Sequence, residues 1–188
     1  MIFMGIEVLL LTRNSDKLSA AQKAFSKFGI KVSQTSKEFA EIQAGSSIEI
    51  AEFAVSEAIK EFNLPVIRED HSLFIHALGC FPGPYTNYFD KKMPVELLLK
   101  ILSNFEDRTA HMELAAAMKC PDGDYFKSVY TVPLKLSNTV NGTNGNWNKI
   151  LMLRDEEKTF AEESESSRTD VWAKNYIELA KKLCDKYG

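Results

Sequence analysis

The pattern of hydrophobic and polar positions at the start of the chain predicts a strand followed by a helix. Residues Glu7–Leu11 form a short continuous apolar run, which is typical of a strand covered on both faces. A tight turn is predicted over Thr12–Ser15, and apolar residues then recur at helical spacing until the helix ends at Gly29. The next apolar stretch, Ile30–Val32, predicts a second strand.

A second helix and two extended segments follow. Ser46 and Glu49 have the spacing of a capping box, which predicts a helix start directly after Ser46. Residues Pro65–Ile67 predict a third strand, and Ser72–Ala77 predict a further extended segment. The glycine and proline residues of Gly79–Tyr85 predict a turn.

The middle of the chain changes from helical to alternating periodicity. We predict a helix at Pro94, because proline is favoured in the first turn. Its inward residues are predicted to be Leu97, Leu98, Ile101 and Leu102. Apolar and polar residues then alternate over Ala110–Lys119 and over Tyr130–Leu136, with a Pro121–Gly123 turn between them. That pattern predicts a long antiparallel hairpin.

The last part of the chain predicts a loop, a strand and a helix. Asn138–Asn148 is rich in asparagine and glycine and is predicted to be a loop, and Ile150–Leu153 a short strand. Asp170–Tyr187 is predicted to be an amphipathic helix. No linker or repeat divides residues 1–188, so we predict one α/β unit with a mixed twisted sheet and flanking helices, as one domain or two lobes.

Composition and charge narrow the class of protein. The 188 residues are 45% hydrophobic and 26% charged, which excludes disordered and fibrous classes. The formal net charge of -3 lacks the basic footprint of a protein that binds long nucleic acid, but a metal-bridged nucleotide is compatible with it. No apolar stretch approaches the roughly 18 residues of a membrane span, so no membrane partner is predicted.

The cysteines and the first apolar stretch of the chain indicate the cellular compartment of the protein. Cys80, Cys120 and Cys184 are odd in number and far apart, with no spacing suited to zinc. We interpret them as reduced thiols of a cytoplasmic protein. The first apolar run carries Glu7 and lacks a basic leader, which favours a strand over a signal sequence.

A polar segment between the first strand and the first helix is a candidate anion site. Unpaired N–H groups and the positive dipole end of a helix attract phosphate, and Thr12, Arg13, Asn14 and Lys17 would add side-chain donors. The alternative is that Asn14 or Ser15 merely caps the helix and Lys17 is solvated. The sequence contains neither a P-loop nor a G-x-G-x-x-G motif.

Two adjacent acids follow the predicted third strand. Glu69 and Asp70 would lie at a strand end, where open α/β sheets place ligand chemistry. Side chains alternate along an extended chain, so only one of the two is expected to face a given cleft. With Glu41 from another strand-to-helix connection, such a carboxylate could hold Mg²⁺. The alternative is that these acids are solvated surface charges.

Histidine and tryptophan give weaker signals. His71, His76 and His111 lack the spacing of a zinc motif. Trp147 could stack on a nucleobase, although a lone tryptophan beside a strand more often packs in the core or at its rim.

Several segments match the motifs of one known family in order and spacing. They are Thr12-x-Asn14-x-x-Lys17, Glu41 in E-I-Q, Arg68–Leu73, Ala77–Tyr85, Asn104–Arg108 and Lys158–Glu162. With these segments the chain resembles the inosine triphosphate pyrophosphatase family, the non-canonical purine NTP pyrophosphatases. The resemblance covers nearly the whole chain, and the acidic motif followed by A-L-G-x-x-P-G-P-Y is its most specific part.

The resemblance implies a fold and an activity. Its members have two lobes with the nucleotide bound in a central cleft, and they are commonly homodimers. With Mg²⁺ they hydrolyse inosine, xanthosine and related nucleoside triphosphates, including deoxy forms, to the monophosphate and pyrophosphate. The whole chain, residues 1–188, would be a single domain of this kind.

The resemblance also implies roles for individual residues. Thr12, Asn14 and Lys17 would contact the triphosphate, with Arg13 in the same segment and Lys17 also catalytic. Glu41 and Asp70 would serve the metal site, and Asp70 would accept the proton of the attacking water. His71 stands where the family has a small hydroxyl residue that touches substrate. Metal and lysine would neutralise the phosphates while the carboxylate orients water for attack at the α-phosphate.

The base-recognition half departs from the family pattern. Gly145–Asn148 keeps one aromatic residue, Trp147, and carries Asn148 in place of an acid. A family lysine aligns with Arg168, and a Ser-His-Arg triplet aligns with Trp172–Lys174. A family lysine in the second helix falls near Ala54. Trp147, Asn148, Arg168 and Lys174 are therefore predicted to bind substrate with altered or relaxed base selection.

These departures leave two competing functions. One alternative is a nucleotide-binding protein of the same fold that has lost efficient catalysis, which Asn148 and Ala173 favour and the retained Glu41 and Asp70 oppose. The other keeps the scaffold as an oligomerisation or interaction module.

Overall fold

The chain forms a mixed α/β fold, as predicted, within the part of it that the structure describes. The computed structural model describes residues 5–35, 37–40, 42–163 and 169–187. None of the helices in these ranges is both long and apolar enough to cross a membrane.

The predicted opening of alternating strands and helices is confirmed. Strand β1 is Glu7–Leu11, helix α1 is Ser15–Ser26, strand β2 is Lys31–Thr35 and helix α2 is Ser47–Ala58. β1 and β2 pair in parallel. Ser46 is the N-cap residue of α2, as predicted, and its hydroxyl accepts a hydrogen bond from the backbone N–H of Glu49 at 3.4 Å.

The third strand is longer than predicted. Strand β3 runs without interruption over Val66–Ile75, whereas the sequence predicts two extended pieces with a strand end after Ile67. The polar residues 68–71 interrupt the apolar pattern, yet they continue the strand. The guanidinium of Arg68 donates to the carbonyl of Leu11 at 3.1 Å. β3 pairs in parallel with β1.

The segment Gly79–Tyr85, predicted to be a turn, contains a short strand. A 3-10 turn at His76–Leu78 leads into strand β4, Phe81–Gly83, which pairs antiparallel with β3. Helix α3, Thr86–Lys92, follows directly and was not predicted. The Phe81–Pro82 peptide bond is cis.

The helix predicted at Pro94 is confirmed, but one of its predicted inward residues is wrong. Helix α4 is Val95–Leu102, with Pro94 as its N-cap residue. Leu98 and Leu102 are fully buried, whereas 47% of Leu97 is exposed. The buried stripe repeats at positions 95, 98 and 102, so position 97 lies outside it.

The predicted hairpin is confirmed as strands β5, Thr109–Lys119, and β6, Tyr125–Leu136. Burial alternates along the first half of β5, but Leu114–Met118 are all buried, so both faces of that half are covered. Strand β7, Leu151–Leu153, pairs antiparallel with β6.

The C-terminal helix is interrupted near its start. The sequence predicts one helix over Asp170–Tyr187, whereas the structure has a short helix α5, Thr169–Trp172, and then α6, Lys174–Tyr187. The break falls at Ala173.

The seven strands form one mixed sheet in the order β2-β1-β3-β5-β6-β7, with β4 attached to β3. The chain divides into two compact units, whose boundaries fall within β3, β5 and β6. The first unit comprises residues up to 70, residues 114–130 and residues from 169 onward. The second comprises residues 71–113 and 131–168.

The core of the first unit explains the continuous apolar run of β1. Val8 and Leu10 pack in a cluster with residues of α1 and α6, while Leu9 and Leu11 pack in a second cluster with residues of α2. Both faces of the strand are therefore covered by helices. Phe25 and Tyr176 are among the largest fully buried side chains, and each such side chain contributes about 1.5–3 kcal/mol to folding.

Candidate active site

The start of α1 is organised by two of the predicted site residues. Asn14 is the N-cap residue, and its Oδ1 accepts hydrogen bonds from the N–H groups of Asp16 at 2.8 Å and Lys17 at 3.2 Å. Thr12 Oγ1 accepts from the N–H of Asn14 at 3.1 Å. The capping role considered for Asn14 is therefore present. It fixes a helix start, with its positive dipole end, directly after β1.

Lys17 connects this helix start to β3. Its Nζ donates to the backbone carbonyl of Glu69 at 2.9 Å. Lys17 is therefore not the solvated lysine of the alternative interpretation. Its ammonium group lies within hydrogen-bond reach of the peptide that joins Glu69 to Asp70.

The two adjacent acids of β3 differ in burial, as alternation along an extended chain predicts. Only 3% of Glu69 is exposed, whereas Asp70 is partly exposed. The predicted position of the pair at a strand end is wrong, since both residues lie in the interior of β3.

Two residues of α6 hold the Glu69 carboxylate. The Tyr176 hydroxyl donates to Oε2 at 2.8 Å, and the Asn175 side-chain amide donates to Oε1 at 3.3 Å. Burial, followed by the neighbouring Glu69 charge, raises the pKa of Tyr176 well above its usual range. The hydroxyl therefore remains protonated and available as a donor.

Neither Asn175 nor Tyr176 was predicted as a functional residue. Helical spacing puts Tyr176 on the apolar face of the predicted C-terminal helix, and the asparagine beside it is a sequence signal of a buried polar cluster. Helical periodicity identifies buried positions, but the partner of a buried polar group is set by tertiary structure.

The other predicted binding residues have different surroundings. Arg13 is exposed and forms an ion pair with Glu38. Lys174 is exposed, and its ammonium lies 4.1 Å from the ring centroid of Tyr130. His71 is partly buried and follows Asp70 as the first residue of the second unit.

Two predicted residues lie outside the described part of the chain. Glu41, predicted to bind metal, and Arg168, predicted to bind substrate, are not among the described residues. Within the described ranges, no three histidine, cysteine, aspartate or glutamate side chains form a group that could hold a metal ion.

Two roles are considered for Trp147, stacking on a nucleobase and packing in the core, and the structure shows packing. Only 1% of the residue is exposed, and its indole N–H donates to the carbonyl of Met93 at 3.0 Å. The neighbouring Asn146 accepts a hydrogen bond from the N–H of Val95 at 2.9 Å. Trp147 therefore anchors the start of α4 in the second unit. Asn148, the next residue, is partly exposed.

Ala173, which the resemblance aligns with a family histidine, lies in the core of the first unit. The residue is only 3% exposed, and its methyl group packs in the core cluster of that unit.

The structure thus joins a capped helix start and the ammonium group of Lys17 to the strand that carries Asp70, in a mixed α/β fold. That combination is typical of a phosphate-processing protein. The sequence model of the Ham1 family matches residues 8–175. The chain belongs to the Ham1 family, which confirms the family predicted from its motifs.

Relatives and solved structures agree with this assignment. The chain is 36% identical to the dITP/XTP pyrophosphatase of Ignicoccus hospitalis over 94% of this chain and 96% of that protein. It is 30% identical to that of Saccharolobus solfataricus over 97% and 96% of the two chains. The fold matches a HAM1 protein from Coxiella burnetii with a TM-score of 0.81 at 20% identity, covering 96% of this chain and all of that one. The Staphylococcus aureus Ham1 protein matches with a TM-score of 0.78 at 25% identity, covering 97% and 100%.

Proposed function

We propose that this protein hydrolyses non-canonical purine nucleoside triphosphates, such as ITP, XTP and their deoxy forms, to the nucleoside monophosphate and pyrophosphate. The observation that carries the proposal is the hydrogen bond from Lys17 to the carbonyl of Glu69, because it joins the anion-binding helix start to the strand that carries Asp70. The names of the relatives as dITP/XTP pyrophosphatases support the substrate class.

The start of α1 would bind the phosphates. Thr12 and Asn14 hold the helix start in place through their side-chain oxygens, and the helix N-terminus favours negative charge. The ammonium group of Lys17 would neutralise charge on the pyrophosphate as it leaves. Arg13 and Lys174 are exposed residues of the same unit and are also proposed to bind the triphosphate.

Asp70 would accept the proton from the attacking water. The water oxygen would bond to the α-phosphorus, the bond from this phosphorus to the bridging oxygen would break, and the proton would move to the Asp70 carboxylate. His71, next along the strand, would contact the nucleotide. Residues 1–188 would act as one catalytic domain.

The donor set fits a Mg²⁺ ion. Mg²⁺ takes one or two protein carboxylates and completes its coordination with phosphate oxygens and water. Asp70, on the strand to which Lys17 is hydrogen-bonded, is one proposed ligand, and Glu41 is the second. When bound, the ion would neutralise the phosphates and lower their resistance to nucleophilic attack.

The test is a screen of nucleoside triphosphates with Mg²⁺ in which pyrophosphate, orthophosphate and nucleotide products are measured separately. We expect pyrophosphate and the monophosphate from ITP and XTP. A nucleoside diphosphate as the primary product would contradict the proposal.

The same screen separates the two alternatives. Nucleotide-dependent thermal stabilisation without turnover would indicate a binding protein that has lost catalysis. Absence of both stabilisation and turnover would indicate an interaction module.

We also propose a homodimer, on the basis of the family resemblance. Light scattering during size-exclusion chromatography should give twice the mass of the 188-residue chain. The mass of a single chain would contradict this.

A further inference from the structure

We propose that Glu69, Asn175 and Tyr176 form a positioning cluster that fixes the peptide between Glu69 and Asp70 for catalysis. The inference rests on the proposed function, since Asp70 is the group to be positioned. The three residues belong to the first unit, and none of them is assigned to substrate or metal.

The cluster holds the Glu69 carboxylate at both oxygens. Oε2 accepts from the Tyr176 hydroxyl at 2.8 Å and Oε1 accepts from the Asn175 amide at 3.3 Å. Asn175 and Tyr176 are fully buried, and Glu69 is 3% exposed. A carboxylate removed from water in this way keeps its charge at low cost only where donors replace the lost water. The two donors therefore set both the position and the orientation of the side chain.

Asn175 is itself fixed by two strands. Its side-chain N–H₂ also donates to the carbonyl of Leu114 on β5 at 2.9 Å, and its Oδ1 accepts from the Ser128 hydroxyl of β6 at 2.8 Å. Each polar atom of this amide thus has a partner of the correct type. The cluster is consequently tied to the sheet as well as to α6, so Asn175 has little freedom to move away from Glu69.

The cluster reaches the catalytic site through one peptide group. The side chain of Glu69 is held by α6, while its backbone carbonyl accepts from Lys17 of α1 at 2.9 Å. Asp70 is the next residue, and its side chain emerges on the opposite face of β3. A rotation of this peptide would displace the Asp70 carboxylate and the Lys17 ammonium together. Displacements of about 1 Å at a reacting group can cost on the order of 10²-fold in rate.

The competing explanation is that Glu69 is a metal ligand. That role would require the carboxylate to face the ion, whereas both of its oxygens accept hydrogen bonds from α6. The two explanations predict different responses to Mg²⁺, because loss of a ligand raises the half-saturating Mg²⁺ concentration and loss of positioning lowers turnover.

Tyr176→Phe in the full chain is the test, because it removes only the hydroxyl. Pyrophosphate release from ITP is measured over a range of ITP and Mg²⁺ concentrations. We expect kcat to fall about tenfold, in the range found for residues that orient a catalytic group. KM and the half-saturating Mg²⁺ concentration should stay within about twofold of the unmodified protein.

Leu183→Val is the matched control for stability. Leu183 lies on the same helix and in the same core cluster as Tyr176, but it is apolar and is not one of the residues that donate hydrogen bonds to Glu69. We expect Leu183→Val to lower the melting temperature by about as much as Tyr176→Phe does, while kcat stays within about twofold of the value for the unmodified protein.

A second variant, Glu69→Gln, keeps an acceptor oxygen for the cluster. The double variant Tyr176→Phe/Glu69→Gln should lose less activity than the product of the two single losses, because both act through one unit.

A readout without substrate separates this inference from the proposed function. Amide hydrogen exchange of the segment around Glu69 and Asp70 should become faster in Tyr176→Phe, while exchange in β2 stays unchanged. If the unmodified protein releases no pyrophosphate, the proposed function is wrong. If amide exchange around Glu69 and Asp70 is unchanged in Tyr176→Phe, the cluster does not fix this peptide. If pyrophosphate is released, kcat above about half of the unmodified value, or a raised half-saturating Mg²⁺ concentration, overturns the positioning role. An equal loss of kcat in Leu183→Val would overturn it as well.

Discussion

Glu69 and Asp70 are adjacent carboxylates of the same strand with opposite surroundings. Glu69 is buried against donors of α6, whereas Asp70 is partly exposed beside the start of α1. Burial and two donors keep Glu69 in one orientation, whereas the side chain of Asp70 lies on the opposite face of the strand. This difference supports the proposal that Asp70, and not Glu69, accepts the proton.

Asp70→Asn should therefore abolish turnover while leaving the fold and much of the nucleotide affinity. An amide can still coordinate weakly through its oxygen but cannot accept the proton, and a general base contributes about 10²–10⁴-fold. The measurements are pyrophosphate release and nucleotide binding by calorimetry. Activity above about a tenth of the unmodified value would remove Asp70 from this role.

The cysteines offer a second test at the residue scale. Cys120 is 2% exposed, and burial raises its pKa to about 11, so little thiolate is present near neutral pH. Cys80 is exposed. Alkylation of the folded protein by iodoacetamide at pH 8, followed by peptide mass spectrometry, should modify Cys80 well before Cys120. Equal rates would show that the packing around Cys120 opens readily.

Predictability at the residue scale depended on where each partner lies in the sequence. The cap at Asn14 is predicted because its partners, the backbone N–H groups of Asp16 and Lys17, lie within three residues of it. The partner of Lys17, the carbonyl of Glu69 on β3, is 52 residues away, and no local pattern indicates it. The packing of Trp147 against Met93 likewise depends on a distant segment, so the sequence alone leaves its role open.

At the scale of elements, periodicity predicted most strands and helices and failed where burial does not follow a simple period. The sequence divides β3 because four polar residues interrupt its apolar pattern, although the side chains of Arg68 and Glu69 have tertiary hydrogen-bond partners. α3 was missed because it has no buried residue and its N-cap, Tyr85, makes no side-chain cap. Such a helix carries neither of the two signals on which sequence-based assignment relies.

A pair of histidines links the 3-10 turn after β3 to the hairpin strand β5. His76 Nε2 lies 2.9 Å from His111 Nδ1, and His76 Nδ1 lies 2.7 Å from Thr109 Oγ1. The ring of His111 also stacks on Phe74 at 4.8 Å. Burial, followed by the charge of His76, lowers the pKa of His111.

This pair predicts a pH-dependent stability. The folded pKa of His111 lies below its unfolded value, so the unfolded chain binds more protons and stability is lost as the pH falls below about 6.5. The melting temperature should fall between pH 7 and pH 5, and it should fall less in His111→Gln. Calorimetry of both proteins over this range is the measurement, with parallel pH profiles as the contradicting outcome.

At the scale of the whole molecule, α6 completes the core of the first unit. Tyr176, Leu179 and Leu183 are buried in the cluster that also contains Phe25 of α1. Three such side chains contribute roughly 5–9 kcal/mol, which is comparable to the whole stability of a typical domain.

A chain that stops after Trp172 should therefore lose its cooperative thermal transition. Circular dichroism during heating is the measurement, and the full chain is the control. A sharp transition in the shortened chain would show that the remaining residues of the first unit form a sufficient core.

The first unit is assembled from three separate stretches of chain, with residues of the second unit synthesised between them. During translation, α1 and β1 leave the ribosome early, but the helix that covers them emerges only after residue 173. Until then, one face of β1 and the inner side of α1 have apolar surface without its final partner. The nascent chain would thus depend on chaperones that shield such surface for most of its synthesis, and its first unit can close only after translation has passed α6.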